Sequence, residues 1–418
     1  MFVHMSRTLQ AARLSTFVFF TLCGFDLGMW IVHIPTIEHR VGVSHAVLGW
    51  LLLLLGGGAF AGMQVVGRLT DRFGARKIVP ISAILTSAAL VLPGLAVNAW
   101  TLGAALLIFG FCNGCLDVSM NVHAVQVERA FRRPIMSAFH AAFSIGGVFA
   151  ALVGARTLGW GWTPAATLSG VAVAGLAITA LATPILLRPE PTAFAPSATK
   201  TRRATPPYIW ALAVLALMLM LSEGVANDWS TLEARDVLDT TPATAALAYG
   251  SFAAAMTVGR LLTDRVSARF GPVAIVRYGA LLAAIALTAI AVSQWLPLTL
   301  IGWAIYGIGL SGCIPQLFSA AGHSDHNAAG VNVARVSGLG YLGMLAGPAI
   351  IGPLTHFFSL NHTFFLPVAL CITAGITAPI LRRKTATEEL AETQSISASV
   401  QDSRSRPTAA MRSDSMVR

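Results

Sequence analysis

The chain has 418 residues, 55% of them hydrophobic and only 11% charged, with a mean hydropathy of +0.71. A soluble domain carries about 25% charged residues, so this composition excludes a water-soluble globule and indicates a polytopic membrane protein. The net charge of +10 would suit a nucleic-acid binder, but the placement of the bases, taken up below, argues for a membrane surface instead.

Met1 to Leu14 is a short basic N-terminus. It has no small-residue cleavage site after a short apolar core, so no cleaved signal peptide is expected. Apolar runs long enough to span a bilayer follow. The first six lie near 15–37, 46–66, 78–97, 100–126, 137–158 and 163–187. The second six lie near 208–229, 244–263, 273–293, 297–320, 330–355 and 363–381. The expected fold is all-α, with twelve transmembrane helices. Residues 1–187 form an N-terminal six-helix bundle, 188–207 a cytoplasmic linker, 208–384 a second six-helix bundle, and 385–418 a polar, Ser-rich, disordered cytoplasmic tail. All five cysteines fall in apolar runs, so they read as packing residues rather than a disulfide framework.

The bases test this topology. With both termini cytoplasmic, 25 of the 28 Lys and Arg fall on cytoplasmic segments, leaving Arg40, Arg156 and Arg235. That asymmetry is the positive-inside signature. It accounts for the basic charge without nucleic acid; the expected location is a bacterial-type plasma (inner) membrane, with both termini cytoplasmic.

Between the second and third runs lies GRLTDRFGARK, Gly67 to Lys77. A reduced copy, GRLLTDRVSARFG, Gly259 to Gly271, follows the second run of the other half and is one residue longer before its acid. Such an internal echo indicates a duplicated domain. Gly67 lets helices approach closely, and Gly74 can take a backbone shape other residues resist. Asp71 can face the positive N-terminus of another helix. The stretch resembles the signature loop between the second and third helices of the major facilitator superfamily of transporters. The resemblance implies a gating loop of Gly67, Asp71, Arg72, Gly74 and Arg76, with Asp264 and Arg265 in the echo.

Polar groups at membrane depth are costly and mark function. The first run has Asp26, with His33 seven residues on; the fourth has Asn113, Asp117 and Asn121 at i, i+4 and i+8 on one stripe. The fifth has His140 and Ser144, the seventh Glu223 and Asn227 with Asp228 beyond them, the tenth Gln316, and the eleventh Ser337 and Tyr341. Each has a plainer reading. His140 can be a satisfied core histidine, Glu223 and Asn227 can be packing or gate partners, and Trp30 and Trp229 can belong to an interfacial belt rather than stack on a substrate ring.

GCLDVSMN, Gly114 to Asn121, is similar to the fourth-helix motif of the fucose permease branch of that superfamily, with Asp117 in the place of a Glu. FHAAFSIGG, Phe139 to Gly147, resembles its fifth-helix motif, with His140 in the place of a Gln, and Asp26 falls where that branch has a first-helix Asp used with the proton. EGVANDW and VHAVQVER also resemble the MosC-like branch, associated with rhizopine, an inositol-type compound. These resemblances imply a monomeric, proton-coupled carrier of a small polar solute such as a sugar or polyol. Asp117 and Asp26 would carry protons. Asn113, Asn121, His140, Ser144, Glu223, Asn227, Gln316 and Trp30 would contact the solute. The alternative is a metabolite or drug exporter working as a proton antiporter, although the fifth run lacks the Pro of the usual exporter motif. No nucleotide loop, metal cluster or nucleophile–base arrangement stands out, so neither an enzyme nor a cofactor is expected.

Overall fold

The structure, a computed structural model, describes residues 7–43, 45–187, 205–240, 242–325 and 328–382. Most of the expected linker and all of the expected tail lie outside the described residues. In a bilayer every backbone polar group needs an internal partner, which an apolar chain achieves as helices. The first spans are α1 (Arg7–Val41), α2 (His45–Phe73), the consecutive α3 (Ala75–Ala89) and α4 (Val91–Leu95), α5 (Ala99–Phe131), α6 (Met136–Gly159) and α7 (Pro164–Ala182). The second six are α8 (Pro207–Asp236), α9 (Pro242–Phe270), α10 (Pro272–Val292), the broken pair α11 (Leu296–Leu310) and α12 (Cys313–His323), α13 (Ala329–Leu354), and α14 (Leu360–Thr363) continued by α15 (Phe365–Thr377). Eleven of these spans are apolar enough to cross a membrane by length and composition. The remaining one, α9, is diluted by Ala, Thr and three Arg, yet its 29 residues reach about 43 Å, longer than a bilayer core.

Local signals fix several ends. Asn98 opens α5 through a capping box: its side chain accepts from the Thr101 N–H at 2.9 Å, and its own N–H donates to Thr101 Oγ1 at 3.1 Å. Thr163 caps α7, with Pro164 at the first helical position. The helices overrun the expected spans, most clearly at the signature stretch. It is not a loop: α2 continues to Phe73, α3 begins at Ala75, and Gly74 alone breaks them, at φ 84° and ψ 143°. Gly271 does the same between α9 and α10, at φ 82° and ψ 164°. One residue in a conformation that only glycine adopts cheaply turns the chain.

The first bundle is built on α1 against α6, α2 against α5, and α3 against α5 and α7. The second repeats the pattern with α8 against α13, α9 against α11, and α10 against α11 and α15. The bundles meet along two seams related by the pseudo-symmetry, α2 with α13 and α6 with α9. At Gly67 the first seam is nearly backbone on backbone. A Cβ there would stand 2.7 Å from Ala334 Cβ and 2.8 Å from the Gly330 carbonyl oxygen.

Gly74 has open space around a Cβ, so strain alone governs substitution there. Gly74→Ala is expected to cost on the order of 1–3 kcal/mol, read as a lower thermal midpoint of the purified chain in detergent. Gly57→Ala, in an open helical position, serves as the control. Equal midpoints for the two variants would remove the strain from this turn.

Candidate functional site

The end of the molecule carrying Gly74 and Gly271, here the basic end, is where the bundles are fastened. A helix start leaves four backbone N–H groups without intrahelical partners. At α13, Gly330 and Val331 donate to the Asp71 carboxylate of the other bundle, at 2.6 and 2.9 Å. At α6, Ser137 and Ala138 donate to Asp264 of the other bundle, at 3.0 and 2.7 Å. Ile135 and Met136, just before them, donate to Glu128, both at 2.9 Å. Four consecutive N–H groups at the start of α6 are thus shared by two carboxylates, one from each bundle. Charge-assisted bonds and the helix dipole both favour this arrangement. Arg129 donates to the Gly322 carbonyl and Ser319 to Glu128 across the same end, and Gln64 donates to the Ala334 carbonyl at 3.2 Å. Of the other signature bases, Arg76 donates to the Leu186 carbonyl at 3.0 Å, Arg72 lies over the Phe73 ring, and Arg265 is exposed.

Further into the membrane the fourth span carries its stripe as expected. Asn121 donates to the Asp117 carbonyl at 2.9 Å and to Asp117 Oδ1 at 3.3 Å, and its own Oδ1 meets His140 Nε2 at 3.1 Å. With the Asn121 oxygen as acceptor, the His140 Nε2 carries the proton in this contact. His140 sits between Phe20 of the first bundle and Phe318 of the second, at centroid distances of 5.3 and 5.8 Å. Asp117 is buried, and its Oδ2 has no hydrogen-bond partner among the described residues. Asn113, a turn away, accepts weakly from the Cys23 thiol at 3.5 Å.

Arg260 requires a correction. The positive-inside tally placed it among the cytoplasmic bases, but α9 carries it at membrane depth, where it joins the bundles. Its Nη1 donates to Ser144 Oγ at 2.8 Å and its Nη2 to Glu223 Oε1 at 3.2 Å. The cause is the extra residue in the echo. Arg68 stands three residues before Asp71 and is exposed; Arg260 stands four before Asp264. One inserted residue turns a helix position by about 100°, which swings the second base from the surface to the interior. Through Arg260 and Ser144, Glu223 of the second bundle is linked to the helix that carries His140.

Other candidates lie apart. Asp26 is fully buried inside the first bundle, where it accepts from Ser87 Oγ at 2.8 Å while its Oδ1 has no partner among the described residues. Trp30 is packed in an apolar cluster with Met29, Ile37, Leu51 and Phe109. Gln316 turns within the second bundle to accept from Ser267 at 3.0 Å. Asn227 is half-buried one turn beyond Glu223, and Asp228 is exposed. The structure therefore brings together Asp117, Asn121, His140, Ser144 and Glu223, adds Arg260, and leaves Trp30 and Gln316 in packing positions. Glu128 was also missed. Its signal was its place four residues before Arg132, where the helix gives way to the turn Arg132–Pro134, within reach of the next helix start.

The chain is 32% identical over 373 residues to an uncharacterized MFS-type transporter of Yersinia pestis, covering 89% of this chain and 96% of that one. It is 29% identical over 352 residues to the membrane protein MosC of Rhizobium meliloti, covering 84% and 85%. The crystal structure of the E. coli fucose:proton symporter superposes with a TM-score of 0.72 over 90% of this chain and 99% of that one, at 14% identity, a likeness of fold. The family description Major Facilitator Superfamily matches residues 16–332 and, overlapping, 212–413. The duplicated bundles, the paired glycine turns and the crossed carboxylate caps accordingly belong to a membrane transporter of the major facilitator superfamily.

Proposed function

We propose that the chain is a secondary active transporter that moves a small polar solute together with protons by alternating access. The observation that carries this reading is Asp117: a buried carboxylate with one oxygen unpartnered, tied through Asn121 to His140 at the junction of the bundles. Among the described residues no Lys or Arg pairs with it. A carboxylate in so dry a place is stabilised by taking a proton, and opening the site to water on one side reverses this. Asn121, His140, Ser144 and Tyr341 offer the hydroxyl- and amide-type contacts that suit a hydroxylated solute. The name of the fucose:proton symporter, similar in fold, supports both the solute class and the coupling.

In this reading residues 1–187 and 208–384 are the two moving halves, and 188–207 links them on the cytoplasmic side. The basic end faces the cytoplasm of a bacterial-type cell, with both termini there, and a single chain suffices for transport. The crossed caps hold the cytoplasmic end shut while solute enters from outside. Asp26, with Ser87, is a second proton-carrying position within the first bundle. Nothing in this cycle requires an enzymatic step.

Asp117→Asn preserves shape and polarity but cannot titrate. Proteoliposomes carrying it are expected to lose pH-driven accumulation, falling to simple equilibration, while solute counterflow persists; Asp117→Glu should keep part of the coupling. The probes are radiolabelled sugars, polyols and small hydroxy acids, offered with and without an uncoupler. pH-driven accumulation at the wild-type level by Asp117→Asn would place coupling elsewhere.

Asp71→Asn removes the charge that caps α13 but leaves an acceptor oxygen. It is expected to slow uptake severalfold with unchanged membrane insertion, because the end it seals no longer closes as firmly. Wild-type uptake kinetics in this variant would separate the cap from the transport cycle.

A further inference from the structure

Arg260 is an expensive residue to keep at membrane depth. If it served only to neutralise Glu223, a two-bond fork between guanidinium and carboxylate would be the favoured geometry. The structure shows something looser. Glu223 receives one bond, at 3.2 Å, and the other engaged nitrogen reaches across the seam to Ser144 of the opposite bundle. The Nε of Arg260 is buried and has no acceptor among the described residues. The side chains of Arg260 and Glu223 are 14% and 17% exposed, so the pair is neither dry nor on the surface. An arginine short of acceptors, held by one resident anion and one neutral hydroxyl on a moving neighbour, is arranged to exchange partners.

We infer that Arg260 binds a carboxylate on the transported solute, which displaces Glu223, so that the solute class is a hydroxylated organic acid rather than a neutral sugar or polyol. This rests on the transport reading above and narrows its substrate. The solute carboxylate takes two guanidinium N–H groups where Glu223 takes one. Its hydroxyls face the polar side chains of the first bundle, His140 and Asn121 among them, which lie beyond Ser144. Because Ser144 and Arg260 belong to opposite bundles, an anion on Arg260 also reports to the seam that must part during alternation. Glu223 is the stand-in that keeps the cation company when the site is empty.

The test is binding and counterflow with matched pairs of probes: gluconate against sorbitol, glucuronate against glucose, and quinate against inositol. At least one acid should bind and exchange, with its neutral counterpart about tenfold weaker or worse, equivalent to about 1.4 kcal/mol. Arg260→Gln should weaken that acid about 30-fold or more, and Arg260→Lys should recover part of the loss. Glu223→Gln, which removes the competing anion, should tighten the acid. The neutralised double variant Arg260→Gln/Glu223→Gln avoids an unpaired buried charge and guards against simple misfolding; it should lose acid selectivity while remaining folded. If a neutral probe is carried in a proton-driven, Asp117-dependent way and no acid binds, this inference falls and the transport reading stands. Unchanged acid affinity in the double variant also overturns it. If no probe of either class binds or exchanges, both readings fall.

Discussion

Two carboxylates that cap helices of the opposite bundle hold this structure together as a machine. Asp71 closes the start of α13, and Asp264 the start of α6. Everything else at the basic end follows from them. The α2–α13 and α6–α9 seams can run close because each begins at a helix end whose backbone donors are satisfied from across the interface. Gly67 then permits the approach of α13, and Gly74 and Gly271 turn the chain immediately beyond. A helix start that depends on a side chain from a moving body is stable only while the bodies are together. In the proposed cycle the same bonds that fasten this end are the ones that must break for it to open.

The central polar cluster sits just inside that seal. His140, held between Phe20 and Phe318, forms its boundary toward the basic end. Beyond it the two bundles offer different chemistry. The first contributes Asp117 and Asn121, acceptor-rich and without a cation; the second contributes Arg260 with Glu223. In the proposed cycle, solute and proton would meet groups on both sides of the seam between the halves. In that cycle a site divided in this way would couple occupancy to motion through direct contact, as the Arg260–Ser144 bond across the seam does in this structure.

Much of this was legible in the sequence because membrane constraints are severe. Apolar length, base asymmetry and a duplicated motif fix the class of fold almost by themselves. The i, i+4, i+8 spacing puts Asn113, Asp117 and Asn121 on one stripe of the fourth span, and all three are buried. The suggestion that Asp71 faces a helix N-terminus matched its bonds to Gly330 and Val331. What failed has physical causes. Counting bases by segment cannot see rotation about a helix axis, and the one-residue insertion that turns Arg260 inward was visible only as a length difference from the first copy. Composition cannot tell a cavity-facing aromatic from a packed one, and Trp30 went to the apolar cluster. Glu128 is not marked by its own helix, because the donors it serves, Ile135 and Met136, belong to the start of the next one.

Distances between nitroxide labels on the basic end test the central claim most directly. Labels at Arg133 of the first bundle and Arg269 of the second, both exposed, would be introduced with the five buried cysteines replaced by alanine. If the crossed caps hold the bundles together, the unsubstituted background gives a predominantly short distance, and the Asp71→Asn/Asp264→Asn pair adds or enlarges a longer-distance population. Identical distributions with and without the two carboxylates would contradict the account, since the seal would then owe nothing to the caps.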